Sequence, residues 1–254
     1  NNDKSIYFQE DVGVVSLLEK KILLGECDEV KKNYQDALLH LIDIQFIFQS
    51  RDFENEFKKL NSFDEERIKN DLIYFKTYFL LQTGIQFDEK RLEIEFDEIS
   101  NTILDKNLIV FMYRDFQGRN IMVNNNKIYF IDFQGAMQGS PMYDVASLLW
   151  QAKACLSKEW KRELLDFYIF HLKNRIEIDE EAIKKSYQKI VLLRLLQVMG
   201  AYGLRGLVEK KEHFISSIPS GIKNIIEWKE ENSLAQYPEL NHCLEQLKNY
   251  KIEI

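Results

Sequence analysis

The 254-residue sequence predicts a mainly helical fold carrying one small β-hairpin. Three observations lead there. Apolar residues recur at helical spacing through most of the chain. Glycine and proline number only 10 and 3, so little interrupts those helices. One stretch, residues 109–133, instead alternates like strands around Asn124-Asn125-Asn126, a run that takes the positive φ values of a tight hairpin turn.

The elements follow in order. Residues 5–9 read as a strand running into acidic Glu10 and Asp11 and then Gly13. A helix is predicted over 27–49, where Val30, Tyr34, Ala37, Leu38, Leu41, Ile44, Gln45 and Phe48 share one face. Helices over 64–82 and 88–104 repeat the pattern. Ile109, Val110 and Phe111 form a short apolar strand, Met122 and Val123 a second, and Ile128 to Phe133 a half-buried third. Five further helices are predicted over 143–156, 158–173, 180–209, 219–230 and 238–248.

Composition narrows the function. The net charge is −7, which argues against nucleic acid or an anionic membrane as the main partner. No apolar run in the sequence reads as membrane-spanning. Cys27, Cys155 and Cys243 are odd in number and far apart, as in a reduced, cytoplasmic protein. His40, His171, His213 and His242 are dispersed and lack metal-ligand spacing. No G-x-S-x-G motif occurs. The aromatic residues Tyr74, Phe75, Tyr78 and Phe79 fit a core better than a ligand platform.

The informative stretch runs from Tyr113 to Asp132. Asp115 precedes Asn120 by five residues, and Asp132 follows a short apolar strand twelve residues later. Phosphoryl transfer asks for such a set: one carboxylate facing the acceptor hydroxyl, and an amide and a second carboxylate holding Mg2+ on the phosphates. The hairpin brings Asn120 and Asp132 to neighbouring strand ends, where two oxygen ligands can share a hard cation. A lone Asp-x4-Asn is as easily a capped turn, and strands often end in Asp. The ordered combination favours the site.

This segment resembles the catalytic and metal loops of the aminoglycoside phosphotransferase and choline kinase family. Phe133-Gln134-Gly135-Ala136 and Gly139-Ser140-Pro141-Met142-Tyr143-Asp144-Val145-Ala146 extend the resemblance. Arg-Asp-Phe-Gln-x-Arg-Asn-Ile-Met and the run Leu195 to Tyr202 look similar to bacterial sugar kinases acting on N-acetylmuramate and N-acetylglucosamine. The family's usual His is Tyr113 here. The resemblance implies that Asp115 orients the acceptor, with Arg114 bracing the loop or an acidic group and Gln117 touching the substrate or holding Asp115, that Asn120 and Asp132 hold Mg2+, and that Asp144 starts a helix and buttresses the loop. A helix-capping role for Asp144 is equally open. It also allows Arg194 and Arg205, with Gly200 and Gly203, to face the acceptor cleft, although helix packing through small residues is the favoured account.

Neither a glycine-rich phosphate loop nor a Val-Ala-x-Lys strand occurs. The resemblance therefore implies the C-terminal lobe of a protein-kinase-like α+β fold, with the N-lobe missing. Residues 1–12 would be the end of that lobe and the hinge, where Gln9, Glu10 and Asp11 meet adenine. Residues 13–254 would be the helical lobe, with its catalytic hairpin at 107–133. An ordinary strand-to-helix connection is the alternative for the first segment. The expected function is transfer of the γ-phosphate of ATP or GTP to a hydroxyl of a small molecule, a sugar being the favoured acceptor. The alternative is a non-catalytic, pseudokinase-like docking module.

Overall fold

The computed structural model describes residues 10–47, 53–103, 108–250 and 252. The expected strand over 5–9, Gln9 itself, and the expected helix ends at Phe48, Gln49 and Leu104 lie outside the described residues.

Helices dominate, as expected. The chain runs through α1 (Leu17–Leu24), α2 (Asp28–Ile47), a single turn α3 (Glu54–Phe57) and α4 (Glu65–Phe75). A π-helical segment, Lys76–Leu80, links α4 to α5 (Leu81–Thr83), and α6 follows (Glu89–Thr102). Then come β1 (Val110–Met112), β2 (Ile121–Asn124), β3 (Lys127–Phe130) and β4 (Met137–Gly139). The remainder is α7 (Pro141–Leu149), α8 (Lys158–Leu172), α9 (Glu180–Tyr202), α10 (Glu212–Ile215), α11 (Ile218–Glu231) and α12 (Pro238–Gln246).

Local chemistry sets the helix starts. Ser16 and Glu19 form a reciprocal capping box at α1. Asp64, Asp88, Ser157 and Asp179 each cap a helix by accepting from its first free N–H groups. The expected helix over 143–156 is shorter: α7 ends at Leu149, and Ala152–Ala154 form a 3-10 turn. The expected helix over 180–209 is α-helical to Tyr202 and π-helical over Gly203–Val208.

Two antiparallel pairs make up the β-structure. Strand β2 pairs with β3 through Asn125 and Asn126, whose φ values are 48° and 60°. That is the mirror-image turn a two-residue hairpin needs. Strand β1 pairs with β4, which the sequence reading left unassigned. The third strand stops at Phe130, short of the expected end, because Asp132 has φ 71° and cannot continue a ladder.

The core lies where α4, α7 and α11 pack on α9, and where α2 packs on α8 and β1. Leu72, Phe75, Phe79, Leu196 and Met199 all belong to this core and are fully buried. Tyr78 and Gly203 show how tightly these helices approach. A Cβ on Gly203 would lie 1.9 Å from the Tyr78 carbonyl oxygen. Gly200 similarly abuts Tyr74 and Phe75, so both glycines serve packing. Contrary to the sequence reading, one helix, Glu180–Val208, is long and apolar enough to cross a membrane. Its most apolar window is 61% buried inside the protein, so that apolarity serves the core.

Candidate active site

The loop after β1 is shaped by its backbone. Arg114 takes φ 72°, a left-handed conformation that turns the chain sharply ahead of Asp115. Asp144, fully buried in the first turns of α7, compensates. Its carboxylate accepts from the backbone N–H groups of Tyr113 at 2.8 Å and Arg114 at 2.9 Å. Two donors that would otherwise be orphaned are satisfied. Ser140, not Asp144, caps α7 by accepting from Met142. Of the two readings of Asp144, the geometry selects the buttress. Burial pushes its carboxyl up to about 7, opposed by those two hydrogen bonds.

Asp115 is held on both carboxylate oxygens. Gln117 Nε2 donates to Oδ1 at 2.6 Å, while Arg119 and Asn120 Nδ2 both reach Oδ2 at 3.1 Å. Asn120 Nδ2 also donates to the Asp115 carbonyl at 2.9 Å. The carboxylate nevertheless remains about a third exposed, with 32% side-chain accessibility. A 3-10 turn, Gly118–Asn120, supplies three of these four contacts. Gln151 anchors that turn by accepting from Gly118 N–H at 3.0 Å.

The hairpin register carries the second half of the site. Ile131 N–H donates to the Asn120 carbonyl at 3.0 Å, which places Asp132 next to Asn120 across the strand ends. Tyr113 Oη donates to the Ile131 carbonyl at 2.6 Å and pins the same segment to the loop. Gln134 donates to Asp132 Oδ1. Both amide hydrogen bonds of Asn120 use Nδ2, leaving Oδ1 without a donor among the described residues. An amide oxygen and a carboxylate are the hard donors that Mg2+ takes when phosphates and water complete its octahedron. Among the described residues no cluster of three His, Cys, Asp or Glu side chains exists. A phosphate-bridged ion asks for fewer protein ligands than that.

Asp115, Gln117 and Arg119 form one wall of a cavity of about 400 Å3. The other walls come from α7, the turn after it, α9 and the residues around α10. Trp150, Tyr202 and Phe214 are its aromatic members, and Lys153, Arg194 and His213 join Arg119 as its basic ones. Arg194 was singled out in the sequence and does line the cavity. Arg205 does not; it pairs with Glu209 on the surface. The turn residues 150–153 and His213 escaped sequence reading because no local motif marks them.

The other expected residues fall elsewhere. Arg114 supports the loop through its backbone, and its side chain lies outside the cavity lining, with Nη1 at 3.5 Å from Met137 Sδ. Glu10 is exposed, and Asp11 accepts from Gly13 N–H at 2.9 Å. Val15 pairs with β2 through Val123, so this segment flanks the hairpin.

Comparison with known proteins bears on the family and the fold. The phosphotransferase enzyme family model matches residues 34–178. An N-acetylmuramate/N-acetylglucosamine kinase from Caulobacter vibrioides is 26% identical over 115 residues, which is 43% of this chain and 31% of that one. The chain thus spans under a third of that curated relative. Among solved structures, a choline kinase from Cryptosporidium parvum superposes with a TM-score of 0.54 at 14% identity. That alignment covers 91% of this chain and 72% of that one. A protein assigned as an aminoglycoside phosphotransferase from Ralstonia eutropha gives 0.55 at 12% identity, covering 97% and 72%. These likenesses are to the fold. With the family model matching more than half of the sequence, the chain belongs to the phosphotransferase enzyme family.

Proposed function

We propose that this chain carries the acceptor site and catalytic loop of a small-molecule kinase that phosphorylates a hydroxyl, most simply of a sugar. The observation that carries the reading is Asp115, fixed on both oxygens yet open to a cavity of about 400 Å3. Such a volume suits a small metabolite. The name of the Caulobacter relative supports a sugar acceptor.

In this reading Asp115 orients the acceptor hydroxyl and receives its proton as the new O–P bond forms. Gln117 and Arg119 hold the carboxylate in place. In a loose transition state such positioning contributes more than proton abstraction. Asn120 Oδ1 and the Asp132 carboxylate hold Mg2+, and ATP or GTP bound with it supplies the γ-phosphoryl group. Glu10 and Asp11, with Gln9, are the proposed hinge contacts to the base. No glycine-rich phosphate loop occurs in this sequence, so the phosphate clamp is proposed to come from chain outside these residues. The free thiols of Cys27, Cys155 and Cys243 fit a cytoplasmic setting.

The test is acceptor-dependent ADP or GDP release by the intact protein with Mg2+, across neutral, acidic and amino sugars and choline-like alcohols, alongside Asp115→Asn. Turnover lost in the variant supports the kinase. Absence of both nucleotide binding and turnover with every acceptor sinks it and favours the docking module.

A further inference from the structure

The protein as a whole is acidic, with a net charge of −7, yet its cavity is lined by Arg119, Lys153, Arg194 and His213 against Asp115 as the single acid. Arg119 is already paired to Asp115 at 3.1 Å. With His counted as neutral, Lys153 and Arg194 are the two cations left over. Lys153 is exposed and has no ionic partner among the described residues. Arg194 is 6% exposed, and its hydrogen-bond partners are neutral: Ser147 Oγ at 2.8 Å from Nε, and Gln197 Oε1. Its remaining terminal nitrogen donates to no protein group among the described residues.

A guanidinium this deeply buried is normally paired with an anion. The carboxyl groups that feel its charge, Asp71 and Asp144, form no ion pair with it. Asp144 is committed to Tyr113 and Arg114, and burial biases both carboxyls toward their neutral forms. Arg194 also lies over the Tyr143 ring, 5.6 Å from its centroid, a contact that orients the fork without neutralising it. Both guanidinium groups, of Arg194 and Arg119, are felt by Tyr202, which lines the same cavity.

We propose that the acceptor is an anionic polyhydroxy compound, a sugar acid whose carboxylate is bound by Arg194 and Lys153 while a hydroxyl faces Asp115. This rests on the kinase reading for the role of Asp115 but not for the charge preference. A cationic acceptor would instead meet like charge at Lys153 and Arg194, which costs affinity.

The experiment is calorimetric binding to the intact protein without nucleotide. It uses matched pairs: N-acetylmuramate against N-acetylglucosamine, glucuronate against glucose and galacturonate against galactose, with glucosamine as the cation. At least one acid is expected to bind tighter than its neutral partner by about tenfold or more, the scale of one charge-assisted hydrogen-bonded contact. Lys153→Glu, at an exposed position, is expected to abolish that preference and to improve glucosamine binding. Arg194→Gln, checked for folding by its melting curve, is expected to lose it as well. Equal binding of acid and neutral partners throughout overturns the inference and leaves the kinase reading intact. So does a Lys153→Glu variant that weakens only Mg·ATP binding, for that assigns the cations to the nucleotide. A lost preference in Lys153→Glu, with no phosphoryl transfer by the wild type, would keep the anion site and sink the kinase.

Discussion

The side-chain amide of Asn120 donates through one nitrogen to both the carbonyl and the carboxylate of Asp115, at 2.9 Å and 3.1 Å. The carboxylate proposed to orient the acceptor and the amide proposed to hold Mg2+ are thereby one mechanical unit. Asn120→Ala is expected to lower kcat by about a hundredfold or more, on the scale of losing a fixed polar group at a reacting centre. Raising Mg2+ should recover little of that, because Asp115 has lost its tether. Steady-state kinetics over a Mg2+ titration reads this. Full rescue by metal would separate the two roles.

Asp144→Asn tests the buttress. Two backbone donors face the carboxylate, and an amide offers one acceptor oxygen and a competing donor. One buried N–H is left unsatisfied, at a cost of about 1–3 kcal/mol. Urea unfolding should show that loss, with activity reduced as the loop around Arg114 relaxes. A variant as stable as the wild type would contradict the account.

The same residue gives a signed pH dependence. Burial raises Asp144 from 3.8 to about 7, so the folded protein retains a proton that the unfolded chain releases. Its contribution to stability is full below about 4 and declines as pH rises towards 7. Exposed glutamates such as Glu245, lowered to about 2 by hydrogen bonds from Lys229 and Lys248, act in the opposite sense. The informative quantity is therefore wild type minus Asp144→Asn. That difference should shift against the wild type between pH 4 and 7. A flat difference refutes the assignment.

Gly203→Ala should destabilise the helical core by roughly 1–3 kcal/mol or more, because its Cβ has no room beside Tyr78. Gly135→Ala, whose Cβ meets nothing within 4 Å, is the control and should be near neutral. Thermal melts of both decide it.

The fold was largely readable from sequence where the signal is local. Periodicity over α2, α4, α6 and α9 and the Asn125-Asn126 turn placed the long helices and the hairpin. Short elements were not: β4 exists because β1 pairs with it, and α10 is a single turn. Helix α1 carried a readable signal, the Ser16-x-x-Glu19 box, that the reading passed over. Asp115, Asn120 and Asp132 could be proposed from sequence because their spacing lies within one loop and hairpin. The cavity was not, since residues 150–153, Arg194 and His213 meet only through packing. Arg114 shows the reverse limit, for its backbone N–H braces the loop through a contact that no side-chain pattern announces.

Phosphoryl transfer at Asp115 can be watched by 31P NMR of the intact protein with Mg·ATP and acceptor. A phosphomonoester resonance that grows with the wild type, needs the acceptor and is absent with Asp115→Asn is the expected result. An equal signal from Asp115→Asn, or ATP loss appearing only as inorganic phosphate, would contradict the account.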